Sequence, residues 1–372
     1  MQPLLPALVI GLAAALCSAV CSGVGLQGDA IAYGSVIAAL VVRPDFSRWP
    51  LAIYPVLLAL AAIGMGIGVA IGRGLAAVPQ VFVFGLVAAL MQLLSLTLPG
   101  KLRPLSGVLA VAGVLPLLGG NPSWSSWGEQ LLALAIGLAV GTMLQLAFTP
   151  AQLPAADGAG EAEALEPPGT EPPLGTRVVR GLRSPYFWRK LVFASLALAI
   201  GEGVGAVTPK YLYFGIVLLL NESVGATLAR VRDRMVGVSL GILMPLLVFN
   251  SFGISQLATG LVMGGTAALV VALNGGSYLR TALISSGVAF IGYGPLVAWY
   301  IPNRWIDYLM GCGLALAVGV LLFPHSALKR YNQLSSRPDP LSLEDQQELG
   351  RLLEEASEEA RWLGLPAPLP RR

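Results

Sequence analysis

Charge is what this chain has least of. Only 12% of its 372 residues are Asp, Glu, Lys or Arg, whereas about a quarter are charged in a soluble domain. Hydrophobic residues make up 55% and the mean hydropathy is +0.74, which excludes an ordinary soluble domain and reads as a polytopic membrane protein. One histidine, His325, and three cysteines limit the chemistry further. Cys17 and Cys21 lie four apart on one helix face and Cys312 far along the chain, with no neighbouring ligand set to complete a metal site. All three cysteines read as small apolar packing residues. Absent too are H-E-x-x-H, G-x-S-x-G in a strand-to-helix setting and a P-loop lysine motif. Metal-dependent hydrolysis, acyl transfer and ATP hydrolysis have no visible machinery. The expectation is a non-enzyme without a cofactor and without nucleic acid as a partner. No basic n-region or small-residue cleavage site marks the first apolar run, which therefore reads as a retained span.

Glycine, by contrast, is plentiful. Its 45 copies suit transmembrane helices, whose close approach depends on small side chains. About 20 apolar residues cross a hydrocarbon core of roughly 30 Å. By that measure the first half holds Pro3 to Leu26, a short Ala30 to Val42, Leu51 to Gly72, Val78 to Leu98, Leu105 to Leu118 and Gly128 to Phe148. The second half holds Leu191 to Val207, a short Tyr211 to Leu220, Met235 to Phe249, Ile254 to Leu273, Tyr278 to Trp299 and Ile306 to Phe323. The expected fold is all-α, with about twelve apolar segments. If the N-terminus is cytoplasmic, fifteen lysines and arginines fall in cytoplasmic turns or the central linker, and only Arg73, Lys210 and Arg304 fall outside. Basic residues favour the untranslocated side, so both termini are expected in the cytoplasm.

The two halves echo one another. Tyr33-Gly34 opening a short segment of the first half matches Phe214-Gly215 opening a short segment of the second. Trp127-x-Glu129 before Leu138-Ala139-Val140-Gly141 matches Trp305-x-Asp307 before Leu316-Ala317-Val318-Gly319, at nearly the same offset along the chain. Six segments per half give repeats of the same topology, related by an axis along the membrane normal. The expected domains are a first repeat over 1–148, a second over 189–325 and a polar tail over 326–372. Between the repeats, 149–188 reads as a disordered cytoplasmic linker, too rich in Pro, Gly and Glu to bury a core. Within the tail, Leu341 to Leu363 reads as an amphipathic helix with Ser342 as its cap and Leu349, Leu352, Leu353, Ala356, Ala360 and Leu363 on one face. Its seven acidic and two basic residues oppose binding to an anionic leaflet and favour docking on the basic cytoplasmic face or on a second subunit.

The densest pattern runs from Tyr211 to Phe249. It contains Ser223-Val224-Gly225-Ala226-Thr227-Leu228-x-Arg230 and then Arg234-x-x-Gly237-x-x-x-Gly241, while Arg304-x-x-Asp307-x-x-x-Gly311 opens the last segment. In order and separation these motifs resemble the second half of the fusaric acid resistance (FUSC), or aromatic acid exporter, family of bacterial membrane proteins, over most of Leu191 to Pro324. The resemblance implies a multi-pass protein of the bacterial inner (plasma) membrane that exports small aromatic or amphipathic organic acids. It singles out Arg234, with Gly237 and Gly241 as a small face packed on a neighbour. Many members carry a sizeable folded domain between the halves, where this chain has only its linker. With no nucleotide site, the proton gradient is the expected energy source. A passive organic-anion channel is one alternative, since related plant malate channels share the six-segment unit. A membrane scaffold that recruits partners through the acidic tail is another. Expected partners are the lipid bilayer and a small organic anion, with a homo-oligomer and a periplasmic adaptor as candidates.

Ionisable groups inside apolar runs point to the site, because each costs at least about 2.5 kcal/mol at mid-bilayer. Glu202 reads either as a protonatable relay in a cavity or as an interfacial carboxylate paired with Lys210. Asn221 and Glu222 close the short Tyr211 to Leu220 segment, either inside the membrane on a continuing helix or at the cytoplasmic mouth of a broken one. Short segments at matching positions of two halves are a pointer to a transport site. Arg230, Arg232 and Arg234, read as lying in a turn, either draw an anionic substrate to a cleft or anchor topology. Tyr211, Tyr213 and Phe214 are candidates to stack an aromatic substrate. Arg304 and Asp307, three apart, read as a structural pair, and the aromatic residues at segment ends as an interfacial belt.

Overall fold

Leucine and alanine fill the apolar runs, and both favour helix. A computed structural model describes residues 4–45, 50–99, 102, 105–118, 122–148, 173–206, 209–219, 224–291, 297–322, 326–337 and 343–370, and among them it contains helices and no strand. In chain order these are α1 (Leu4–Gly23), α2 (Asp29–Val41), α3 (Ile53–Gly74), α4 (Gln80–Thr97), α5 (Ser106–Ala112), α6 (Leu115–Leu118), α7 (Trp124–Phe148), α8 (Leu174–Arg183) and α9 (Pro185–Gly203). There follow α10 (Lys210–Leu219), α11 (Val224–Gly241), α12 (Leu243–Phe252), α13 (Gln256–Ala272), α14 (Leu279–Ile291), α15 (Val297–Leu316), α16 (Ala327–Ser335) and α17 (Leu343–Trp362). By length and composition, α1, α3, α4, α7 and the stretch Thr227–Phe252 are able to cross a membrane, while α2, Gly107–Leu118, α13 and Trp305–Val320 are shorter apolar helices. Among the described residues, five helices of full spanning length thus stand where twelve apolar segments were expected.

Several boundaries fall elsewhere than expected. The three arginines assigned to a turn lie inside α11, because Ala, Leu, Arg and Met are good helix formers and carry the helix through the charge. The expected turn between Trp299 and Ile306 is part of α15, with Pro302 inside it. A proline there removes one intrahelical hydrogen bond, and here it does not end the helix. The expected linker ends in α8, whose Leu174, Val178, Val179 and Leu182 fall to one side of its arginines, and residues 149–172 lie outside the described residues. The tail helix is α17, preceded by α16, while Ser342 and His325 lie outside the described residues.

The chain divides into two units, Met1–Leu191 with Val236–Trp305, and Val192–Met235 with Ile306–Arg372. In the first, helices meet backbone to backbone. A Cβ on Gly11 would lie 2.6 Å from the Gly260 carbonyl oxygen, one on Gly34 2.7 Å from that of Ala133, and one on Gly141 2.7 Å from that of Ala38. These contacts pack α1 on α13 and α2 on α7. Beside the α2 contact, the sulfurs of Cys17 and Cys21 lie 3.9 Å apart and buried. In the second unit, a Cβ on Gly215 of α10 would lie 2.7 Å from the Gly311 carbonyl oxygen of α15.

The same geometry occurs at matching positions of the two halves. Gly34 meets Ala133 as Gly215 meets Gly311, and both members of the second pair follow those of the first at nearly the same offset. Trp127 donates its indole N–H to the Ala62 carbonyl of α3 at 3.1 Å, and Trp305, its counterpart in the second half, donates to Ser239 Oγ of α11 at 3.0 Å. α1 and α9 also close alike. Gly25 has φ 85° and Gly205 φ 66°, the left-handed conformation that glycine adopts at a helix end. Leu26 N–H reaches the Cys21 carbonyl at 3.0 Å and Ala206 N–H the Gly201 carbonyl at 2.9 Å. The sequences at these ends are Ser22-Gly23-Val24-Gly25 and Glu202-Gly203-Val204-Gly205, again at that offset. One departure is that Gly319, the counterpart of Gly141, meets Thr227 of α11.

A side chain at Gly34 or Gly215 has to displace backbone. Gly34→Val and Gly215→Val are therefore expected to destabilise the purified protein by about 1–3 kcal/mol. Gly128→Ala, inside α7 where nothing lies within 4 Å, is not expected to destabilise it. Size exclusion after graded heating reads both.

Candidate functional site

The closure of α9 turns the chain directly into α10. A Cβ on Gly201 would lie 2.9 Å from Pro209 Cα, and the Glu202 carbonyl accepts from Gly205 N–H at 3.2 Å. Glu202 is therefore in the last turn of α9, with its side chain exposed.

α10 has ten residues, about 15 Å at 1.5 Å per residue, which is half of a hydrocarbon core. Tyr213 has no exposed surface and packs edge-on against Phe214, with centroids 5.6 Å apart. Tyr213 thus belongs to the core, while Phe214 and Lys210 are half-buried. The side chain of Tyr211, and all of Asn221, Glu222 and Ser223, lie outside the described residues.

At the far end of α10, Arg230 Nη1 donates to the Leu218 carbonyl at 3.5 Å. Carbonyls in the last turn lack intrahelical partners, and the helix dipole favours a cation there. Glu202 and Arg230 therefore mark opposite ends of α10. Arg234 is half-buried. Gly237 and Gly241 bring α11 against α14, where added Cβ atoms would meet Thr281 Cβ at 2.6 Å and the Ala282 carbonyl at 2.5 Å. Asp307 is 3% exposed, Gly311 receives Gly215, and the side chain of Arg304 lies outside the described residues.

Arg232 is taken by the tail. Its Nη1 lies 3.0 and 3.1 Å from the two Glu358 carboxylate oxygens of α17, and Asp233 stands at 3.4 Å. Gly225 lets the backbone of α17 approach at Glu355. α17 in turn packs on α16 through Ala327, Tyr331 and Leu334 against Leu349, Leu352 and Ala356. Glu359, 4% exposed, accepts from Ala327 N–H at 2.7 Å and Leu328 N–H at 3.3 Å, and Ser326 Oγ accepts from Lys329 N–H at 2.9 Å. Three of the unpaired N–H groups at the start of α16 are thereby satisfied. Arg330 sits beside Glu348 at 2.9 Å, whose hydrogen bond holds its guanidinium pKa above the usual value. Glu359 and Thr227 were not singled out by the sequence. Thr227 was visible only as one letter of the Ser223 to Arg230 pattern, and Glu359 only as one of seven acidic residues.

Helices of spanning length and composition define a multi-pass helical membrane protein. Residues 195–318 match the model of a family described as fusaric acid resistance protein-like. The match covers about a third of the 372 residues, runs from within α9 to just past α15, and supports the resemblance read from the motifs of that half. No curated protein and no solved structure matches the chain.

The tail contacts make a prediction. Glu359→Ala leaves two N–H groups unpaired at the start of α16, at a cost of about 1–3 kcal/mol. Hydrogen exchange over α16 and α17 is expected to quicken at least tenfold, and more than in Glu358→Ala. Equal protection in the two variants would contradict this anchoring role.

Proposed function

We propose that this protein is an inner-membrane exporter of small aromatic or amphipathic organic acids, coupled to the proton gradient, with both termini in the cytoplasm. The observation that carries the reading is the fusaric acid resistance protein-like match over 195–318, in a chain whose helices suit a bilayer. Two parallel six-segment repeats are the proposed architecture. Their support is the recurrence of the Gly34 and Gly215 contacts, the Trp127 and Trp305 hydrogen bonds and the glycine closures of α1 and α9 at closely similar offsets along the chain. The orientation rests on fifteen basic residues on one side against three on the other.

Mechanistically, the short helix α10 is the proposed substrate path, since short segments at matching positions of two repeats mark such sites. The arginines at the Leu219 end of α10 concentrate organic anions on the cytoplasmic side. Glu202, at the other end, is the proposed proton carrier, with Glu222 as the next carboxylate in line. A scaffold role has less support, because the apolar face of α17 is already covered by α16.

The test is reconstitution in proteoliposomes with benzoate as the probe anion. An imposed pH gradient is expected to drive uphill benzoate accumulation, and Glu202→Gln to abolish it while downhill flux persists. Downhill flux alone in the wild type would make the protein a channel. Undiminished uphill flux in Glu202→Gln would assign that carboxylate to the interface.

A further inference from the structure

The stretch that opens the second half is basic without relief. Residues 173–190 hold Arg177, Arg180, Arg183, Arg189 and Lys190 and neither Asp nor Glu. Within it, α8 lies against the end of α4. Gly181 admits the side chains of Leu93 and Leu96, and Arg177 Nη1 donates to the Leu98 carbonyl at 3.3 Å, just past the last residue of α4. Lys190 adds a hydrogen bond to Gln92 Oε1 at 2.9 Å.

Between these elements is a cavity of about 250 Å³, lined by Ile67 of α3, Leu90, Leu93, Leu94 and Thr97 of α4 and Val178 of α8, and among its described lining residues Thr97 alone is polar. On the same side of α8 as Val178, Leu174, Val179 and Leu182 are exposed. Trp188, also exposed, donates its indole N–H to the Leu182 carbonyl at 2.9 Å. By helical spacing Arg177 and Arg183 stand at the two edges of this apolar side. Exposed leucine and tryptophan beside arginines are the composition of a helix lying in the membrane interface.

We propose that α3, α4 and α8 form a binding site for an anionic phospholipid. Part of one acyl chain occupies the cavity and the head-group phosphate meets Arg177 and Arg183 at the edges of the apolar side of α8. The occupant comes from the bilayer because the cavity is apolar and adjoins two helices of spanning length. It is anionic because basic pockets between membrane helices select such head groups and residues 173–190 carry five basic residues and no Asp or Glu. The site depends on membrane location alone and stands apart from the export reading.

Native mass spectrometry of the full-length protein in neutral detergent tests it, with phosphatidylglycerol and phosphatidylcholine of equal chain length as probes. The wild type is expected to prefer phosphatidylglycerol by about tenfold or more, as two or three basic residues near the head group would give. The double variant Arg177→Gln, Arg183→Gln should lose most of that preference. Val178→Trp, which fills the cavity, should weaken both lipids together and leave the preference intact. Glycerol 3-phosphate, a head group without chains, should not compete. Equal binding of the two lipids by the wild type, an unchanged preference in the double variant, or displacement by glycerol 3-phosphate would each overturn the proposal.

Discussion

Contact between helix backbones at glycine and alanine is the constraint on which the rest of this structure depends. Lipid gives helices no hydrophobic reason to associate, so van der Waals contact at small residues must hold them. Gly11 against Gly260, Gly34 against Ala133 and Gly215 against Gly311 supply it. They account for the glycine richness of the chain better than flexibility does, since among the described residues most glycines are helical and only five have positive φ. The short helices α2 and α10 gain most, because a helix of ten or thirteen residues is marginal by itself and is fixed here by its neighbour. Once α10 is fixed, so are the closure bearing Glu202 at one end and the Arg230 contact at the other.

Charge is then distributed to suit those helices. Arg230 meets the carbonyl end of α10 and Arg232 meets Glu358, so the arginine row of α11 is structural as well as electrostatic. The Arg232 side chain is 37% exposed, and exposed pairs contribute only about 0–1 kcal/mol. Burying a leucine contributes about 1.5–3 kcal/mol. The leucines and alanines between α16 and α17, with Glu359 satisfying two N–H groups, therefore order the tail, and Arg232 fixes where it docks.

Much of this was legible in the sequence. Composition fixed the all-helical membrane class, and the amphipathic tail and the short segment before Ser223 were readable from periodicity and length. What was missed has physical causes. Arginines in A-R-V-R-D-R-M look like a turn by charge but favour helix by propensity, and propensity won. Pro302 and the polar residues around it suggested a turn, yet α15 tolerates the loss of one hydrogen bond. α8 was hidden by the Pro-rich run before it. Glu202 read either as a relay or as an interfacial carboxylate, and the end of α9 at Gly203 and Gly205 beside it was not readable from its apolar neighbours. The Ser22 to Gly25 and Glu202 to Gly205 stretches carried the clearest repeat in the chain, and it became visible once both were seen to close a helix in the same way.

The most direct measurement is the pool of small aromatic and amphipathic carboxylates inside cells that lack the gene, compared with the parent strain. If the protein exports such acids, one or more of them accumulates inside the deletion strain and falls again when the intact gene is returned. Identical pools in the two strains, grown with and without added aromatic acids, would contradict export.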